Sequence, residues 1–358
     1  MVSGPSDNRP TEDHEPDFYL TVVHGLEKIA SAEVRRLGAF AIGTRPAKVF
    51  LRFAEPPAAL VDLRCAMHTY AFIAERSGCP ADASAQAWLQ AAARELDLSA
   101  ALAHHAALHG TVSDPSFRIS AARSGEHDYT SPEIAAWVGA AVQAQTGWRV
   151  DLEDHDYDIE AELVGDRALF GLLLGPRWQE RRAKVAYHPA SLNPTVAYAM
   201  IQLLGLAPDD KFLDPACGGG TLLTERAYLG PTALLLGGDI WPRALEYARL
   251  NLDAAGTPAH LLRWDAGRLP LRDESVTRVA SNLPFGHRVS HGPAVRRFYQ
   301  RLLPELARVL QPEGRAVLLT SRHRWLRETV AEVPELHPER RLRIVLGGKE
   351  AFIFVLSR

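Results

Sequence analysis

A chain of 358 residues exceeds one ordinary core, so two or three domains are expected. Hydrophobic content of 47% excludes wholesale disorder, and no apolar run reaches the roughly 18 residues of a membrane span. A net charge of −3 argues against a uniformly basic nucleic-acid binder, and three cysteines (Cys65, Cys79, Cys217) without pair or metal spacing point to a reducing cytoplasm.

The first 16 residues are polar and acidic, which predicts a disordered tail rather than a signal peptide. Residues 17–75 then alternate strand (18–23), helix (26–37), strands near 39–43 and 48–53, helix (57–63) and strand (69–74). That βαββαβ order is ferredoxin-like. Alanine-rich helices follow at 83–96 and 98–109. A strand at 116–122 leads to a helix opened by Ser131 and Pro132 as cap and first turn, and three strands near 149–152, 157–164 and 167–174 close the unit.

From Pro194 onward the pattern becomes strand and helix in alternation, with strands near 210–214, 233–239, 259–264, 276–282, 314–320, 342–347 and 351–357. Helix 294–310 precedes Pro312, and Gly347–Gly348 joins the last two strands as a hairpin. This is the order of a doubly wound α/β sheet, whose ligands sit at the carboxyl ends of the strands.

The first of these strands ends in Asp214-Pro-Ala-Cys-Gly-Gly-Gly-Thr221, a glycine loop opening a helix. Gly218 and Gly220 permit a sharp turn and close approach of a ligand. A phosphate-cradling loop needs Gly-Lys-Ser/Thr, and the lysine is absent. A dinucleotide fingerprint needs a third glycine where Leu223 stands, and a carboxylate at Asp214 repels phosphate. S-adenosylmethionine, with an ammonium and a sulfonium, fits this loop best. The next two strands also end in acids: Asp239 suits the ribose hydroxyls, and Asp265 is placed to accept from the adenine amine.

The fourth strand ends in Asn282-Leu283-Pro284-Phe285-Gly286. An aryl amine is a poor nucleophile because its lone pair is delocalised. Acceptors such as the Asn282 amide oxygen and the Leu283 carbonyl can draw the nitrogen toward sp³ and aim that lone pair. Pro284 fixes φ and removes a competing N–H, and Phe285 offers a face for an extruded base.

The charge is unevenly spread. Residues 1–17 hold five acids against one arginine, a local −4 that leaves +1 for the remainder. Ser275 to Pro304 contains no acid but has Arg278, Arg288, Arg296, Arg297 and Arg301. Further basic groups lie at Arg177–Lys184 and at Arg340, Arg341 and Arg343, and such patches suit phosphates. No metal site is expected: Arg288 stands where a His287/His291 zinc pair needs Glu, and the acidic run at 151–158 lacks the glycine of a calcium loop.

With its upstream Ala190-Ser-Leu-Asn-Pro-Thr195 segment, the Asn-Leu-Pro-Phe-Gly form resembles the THUMP-domain class I tRNA (guanine-N2-)-methyltransferases, position-6 type. The resemblance implies an α/β C-terminal Rossmann-like seven-stranded methyltransferase sheet, preceded by a ferredoxin-like module and a THUMP domain (α+β). The divisions are a tail at 1–16, the ferredoxin-like module at 17–75, THUMP at 76–178, a linker at 179–189 and the methyltransferase at 190–358. It further implies that Asp214 and the backbone of Ala216, Cys217, Gly218 and Gly220 hold the methionine moiety, with Thr195 closing over it. Asp239 would hold the ribose and Asp265 the adenine amine, Ile240 and Ala266 would also bind the cofactor, and Asn282, Leu283, Pro284 and Phe285 would hold the guanine. The implied partner is tRNA, its acceptor stem and 3′ CCA end, with Arg118, Arg123 and residues 124–131 as RNA contacts. A cytoplasmic monomer without membrane attachment is expected. The open alternatives are an N2-guanine methyltransferase for tRNA position 10 or for ribosomal or small nuclear RNA, and a non-catalytic RNA-binding protein.

Overall fold

The computed structural model describes residues 15–175, 185–186, 191–284 and 292–358. Most of the acidic tail, the basic group at 177–184, Ala190 and the segment holding Phe285, His287, Arg288 and His291 therefore lie outside the described residues. The chain divides into two compact units, one gathering 15–21 with 31–175, the other gathering Val22–Ala30 with the described residues from 185 on.

Residues 15–175 run β1 (Phe18–Val22), α1 (Glu27–Arg36), β2 (Phe40–Arg45), β3 (Lys48–Arg52), α2 (Ala58–Val61), β4 (Ala66–Ser77), α3 (Ala85–Arg94), α4 (Ser99–His109), β5 (Ser116–Ser124), α5 (Ser131–Thr146), β6 (Arg149–Val150), β7 (Tyr157–Val164) and β8 (Arg167–Leu173). All eight strands form one sheet in the order β2-β3-β1-β4-β8-β7-β5-β6. The first four strands keep the ferredoxin-like order. Twelve-residue β4 then pairs antiparallel with β8, from Tyr70 opposite Leu173 to Ser77 opposite Arg167, so one ladder runs on into the following strands.

The cap of helix α5 lies one residue earlier than the sequence suggests. Ser131 is already helical, and Thr130 is the cap, because Glu133 reaches back to accept from the Thr130 N–H at 2.7 Å. Pro132 takes the second helical place, where a missing N–H costs nothing, and Gly147 stops the helix in a left-handed turn (φ 74°).

The second unit comprises α6 (Pro194–Gln202), β9 (Lys211–Asp214), α7 (Thr221–Tyr228), β10 (Leu234–Asp239), α8 (Pro242–Ala254), β11 (His260–Arg263), β12 (Val276–Asn282), α9 (Gly292–Val309), β13 (Leu310–Thr320), α10 (His323–Ala331), β14 (His337–Leu346) and β15 (Lys349–Ser357). Its sheet has the order β11-β10-β9-β12-β13-β15-β14. Strands β10, β9, β12 and β13 pair in parallel, and β15 runs antiparallel between β13 and β14. The parallel strands are apolar because helices cover them; Leu213, Val279, Leu318 and Phe354 share one core with Leu302, Leu306 and Leu326 from α9 and α10.

The strand order reverses between β9 and β12. Such a reversal opens a crevice at the carboxyl ends of the two strands, because their following helices leave on opposite faces. Those ends are Asp214 and Asn282. Edge strand β14 starts at His337, five residues before the apolar alternation that predicts it. The exposed run His337–Arg341 carries no core signal and is held by its ladder to β15.

Candidate active site

Asp214 closes β9 and is 2% exposed. Its Oδ1 accepts from the Ala216 N–H at 3.2 Å and from the Ser281 hydroxyl at 3.0 Å. No lysine or arginine among the described residues pairs with it. Burial is the main reason that its carboxyl is pushed up to about 7, with the nearby Asp239 charge adding to the rise against those two hydrogen bonds. A buried carboxylate with no cation of its own is well suited to a cationic ligand.

The glycine loop beyond it is tied down at each end. The Cys217 N–H donates to the Gly238 carbonyl at 2.9 Å, and the Gly220 N–H returns to the Cys217 carbonyl at 2.8 Å. Gly218 and Gly220 both have positive φ, at 50° and 79°, and nothing in the protein lies within 4 Å of where a Cβ on Gly218 would point. The loop thus turns where the glycines allow it and leaves open space beside Gly218. Cys217 is buried, which pushes its thiol up and makes it packing rather than a nucleophile.

Asp239, at the tip of β10, holds this loop to the next one. Its Oδ2 accepts from the Gly218 N–H and its Oδ1 from the Trp241 N–H, both at 3.0 Å. Each oxygen keeps a lone pair for a further donor such as a hydroxyl. Ile240 and Trp241 follow as exposed apolar residues, at 51% and 62%. Gly238 lets the Trp264 indole lie flat on β10, since a Cβ there would sit 2.1 Å from the ring, and that indole donates to the Pro215 carbonyl at 2.8 Å.

Asp265 stands just beyond β11 in a turn. Its Oδ1 accepts from the Gly267 N–H at 2.9 Å and its Oδ2 from Arg301 at 2.5 Å. Burial works against its charge, but these two donors outweigh burial and hold the carboxyl below its ordinary value. Ala266 is buried beside it. Thr195 is fully buried at the start of α6, its hydroxyl donating to the Asn193 side chain at 2.8 Å.

Asn282 ends β12 opposite Leu319 of β13. Its Oδ1 is buried and has no hydrogen-bond partner among the described residues. An unsatisfied buried amide oxygen is costly, and it marks a place where a donor from outside belongs. Leu283 is fixed by its N–H to the Leu319 carbonyl at 3.0 Å. The Pro284 carbonyl accepts from Tyr299 Oη at 3.2 Å, Tyr299 Oη lies 2.8 Å from Thr320 Oγ1, and the Arg322 N–H donates to that same Thr320 oxygen at 2.7 Å. Chiefly through burial, the Tyr299 phenol is pushed up to about 12, so it remains a donor at neutral pH.

The structure therefore brings Asp214, Ala216, Cys217, Gly218, Gly220, Asp239, Ile240, Asn282, Leu283 and Pro284 to one end of the sheet, with Asp265 and Ala266 at the adjoining strand end. It spreads the Ser275–Pro304 arginines differently from their sequence grouping. Arg278 lies toward the start of β12 and bonds the Gly205 carbonyl, Arg296 pairs with Glu328, and Arg301 pairs with Asp265.

Residues 181–340 match the family described as RMKL-like, methyltransferase domain, and residues 89–173 match the THUMP domain. Among similar solved structures, that of TrmN from Thermus thermophilus is 30% identical and superposes with a TM-score of 0.78, covering 95% of this chain and 99% of TrmN. The Thermus thermophilus tRNA (guanine(6)-N2)-methyltransferase is 35% identical over 246 residues, 68% of this chain and 72% of that relative. The chain belongs to the THUMP-domain tRNA (guanine-N2-)-methyltransferases. The human tRNA (guanine(6)-N(2))-methyltransferase THUMP3 is 31% identical over 260 residues, and the match spans about half of its length (51%).

In this methyltransferase, three supporting residues escape sequence reasoning. Ser281 hides one place before the conspicuous Asn282. Tyr299 reads as an ordinary apolar position of an amphipathic helix. Asn251, buried in α8, donates to the Gly219 carbonyl at 3.0 Å and exchanges two hydrogen bonds with Ala186. A polar residue on the apolar stripe of α8 is the one signal that singles it out. No helix among the described residues is long and apolar enough to cross a membrane.

Proposed function

We propose that this methyltransferase uses S-adenosylmethionine to methylate the exocyclic N2 of a guanosine in tRNA, at position 6 of the acceptor stem. Asn282 Oδ1, without a hydrogen-bond partner among the described residues and one residue from the Ser281 hydroxyl that binds Asp214, carries the proposal. It sets an amine acceptor near a buried carboxylate that pairs with no cation among the described residues. The similarity to enzymes named for guanine-6 supports the choice of nucleoside and site.

The site residues fit the cofactor. Asp214 would take its ammonium, Asp239 the ribose hydroxyls with the two lone pairs left on its carboxylate, Ile240 the adenine face, and Asp265 with Ala266 the adenine edge. Thr195, buried at the start of α6, would help to enclose the methionine end. When bound, S-adenosylmethionine supplies an electrophilic methyl group on a sulfonium. Asn282 Oδ1 and the Leu283 carbonyl accept the two amine hydrogens of the guanine and turn its lone pair out of the ring. Tyr299 holds the Pro284 carbonyl so that this stretch keeps its direction. Phe285, outside the described residues, is the aromatic available for stacking the extruded base, which offsets part of the few kcal/mol of unstacking. No strong base is required, since the amine proton becomes acidic once the methyl is attached. The THUMP domain would hold the 3′ CCA end, with Arg118, Arg123 and residues 124–131 as contacts. This reading describes a cytoplasmic enzyme acting as a monomer.

The test is tritiated methyl transfer to unmodified tRNA transcript, to the same transcript with the position-6 guanosine replaced, and to a small nuclear RNA, followed by nucleoside mass spectrometry. N2-methylguanosine formed only when position 6 is guanosine is the expected result. Product at position 10, or on small nuclear RNA alone, would move the substrate. No product with any RNA would reject the proposal.

A further inference from the structure

We infer that Arg322, Arg324 and Arg341 form a phosphate-binding lip beside Asn282 that grips the RNA backbone next to the target nucleotide. The inference rests on the reading of the site as one that methylates a base in RNA.

Its position follows from the hydrogen bonds of the clamp. The Pro284 carbonyl leads to Tyr299, Tyr299 to Thr320, and Thr320 to the Arg322 N–H, in links of 3.2, 2.8 and 2.7 Å. The loop after β13 therefore leaves the sheet on the side of the clamp. Residues 314–327 of the sequence contain no acid, and four arginines: Arg315, Arg322, Arg324 and Arg327. Arg315 points elsewhere, pairing with Glu339.

Aromatic rings hold the cationic groups in place. The Arg322 guanidinium lies 5.3 Å from the centre of the Trp325 ring. The Arg341 guanidinium lies 5.6 Å from the centre of the Phe352 ring, and the His323 ring packs 4.2 Å from the same phenylalanine. Arg324 is exposed on the first turn of α10. The groups also feel one another: burial first, then the charges of Arg341, Arg324 and Arg327, hold the His323 imidazole below its ordinary range. Of the acids on α10 and β15, Glu328 pairs with Arg296 at 3.4 Å and Glu350 with Arg343 at 2.9 Å.

A cationic concentration of this kind stores repulsion that an anion relieves. A target base must leave its stack to reach Asn282, which bends the flanking backbone and brings its phosphates over the rim of the crevice. Guanidinium groups are suited to those phosphates by their fork of donors. The lip holds backbone and reads no base, so it acts equally on every RNA that presents the target.

The test compares wild type with three variants: R324E, R322Q/R324Q/R341Q, and the control R249Q on exposed α8. Methylation kinetics on tRNA transcript, the salt dependence of tRNA binding, and calorimetric binding of S-adenosylhomocysteine are measured for each. For the triple variant, KM for tRNA should rise by at least about tenfold, and the slope of log affinity against log salt should flatten by roughly 2 to 3. R324E, which changes only an exposed side chain, should raise KM on its own, while R249Q behaves as wild type. S-Adenosylhomocysteine affinity should stay within about twofold throughout. Unchanged KM and salt slope in R324E and the triple variant, with wild type active, would overturn the lip alone. Inactive wild type would overturn the underlying functional reading instead.

Discussion

The Ser281 hydroxyl donates to the Asp214 carboxylate at 3.0 Å across two parallel strands, β12 and β9, that flank the reversal of strand order. That bond joins the end of the sheet proposed to hold the methyl donor to the strand that presents the acceptor. One residue further along β12, the backbone pleat turns Asn282 the other way, with its amide oxygen buried and without a partner among the described residues. Two proposed roles thus fall on successive residues of one strand, and the pleat keeps them apart.

Replacement of Asn282 by alanine tests the amine clamp. Removing one preorganised acceptor at the reacting centre should lower single-turnover methyl transfer by roughly 10² to 10³. Binding of S-adenosylhomocysteine, measured by calorimetry, should be unchanged. Turnover at the wild-type rate would exclude the role.

As the proposed seat of the cofactor's ammonium, Asp214 should make cofactor binding pH-dependent. With its carboxyl near 7, half of the free protein is protonated there, and a cationic amino group selects the ionised form. The dissociation constant for S-adenosylhomocysteine should fall by up to about tenfold per unit as pH rises from 5.5 to 7, then level off. Binding near pH 6.5 should release protons, seen as a dependence of calorimetric heat on buffer ionisation enthalpy. For the free protein the sign is opposite. A carboxyl raised in the folded state contributes stability that is complete below its unfolded value near 4 and is lost as pH rises through 7. Thermal melts of the free protein should therefore fall across that window, and those of Asp214→Asn should not.

Ser281→Ala removes one of the two donors to Asp214 Oδ1. The carboxyl should move further up, so cofactor affinity at pH 7 should weaken by about tenfold and recover by pH 8.5. Titrations at the two pH values decide it, since a simple loss of shape would weaken binding equally at both.

Tyr299→Phe keeps the ring and deletes the donor to the Pro284 carbonyl. The Pro284 carbonyl and the buried Thr320 hydroxyl each lose a partner, so stability should drop by about 1 to 2 kcal/mol and kcat by roughly tenfold, with cofactor affinity retained. Denaturant unfolding and steady-state kinetics report the two effects separately.

Gly238→Ala places a methyl 2.1 Å from the Trp264 ring. The indole cannot yield without breaking its 2.8 Å bond to the Pro215 carbonyl in the glycine loop. A loss of about 2 to 4 kcal/mol is expected, together with weaker cofactor binding, and chemical denaturation measures the first directly.

Periodicity and turn chemistry alone determined much of this molecule. The glycine loop declares itself because only glycine accepts the φ of residues 218 and 220. The parallel strands declare themselves because both of their faces are covered, so their apolar runs are unbroken. Asn282 was legible because an amide before proline at a strand end is conspicuous. What only the tertiary structure decided was pairing between residues far apart in the chain. Ser281 meeting Asp214 and Tyr299 meeting Pro284 leave no local trace, since each is chemically ordinary in its own element, and Asn251 stands out on its apolar stripe without declaring that it meets Gly219. The arginines show the same limit from the other side. Arg278, Arg296 and Arg301 look like one basic stretch in sequence, yet folding gives each a different acceptor, while Arg341 of β14 and His323 of α10 meet on the ring of Phe352. A side chain's charge is written in the sequence, but the neighbours that neutralise it or leave it for a ligand are set by which strands lie side by side.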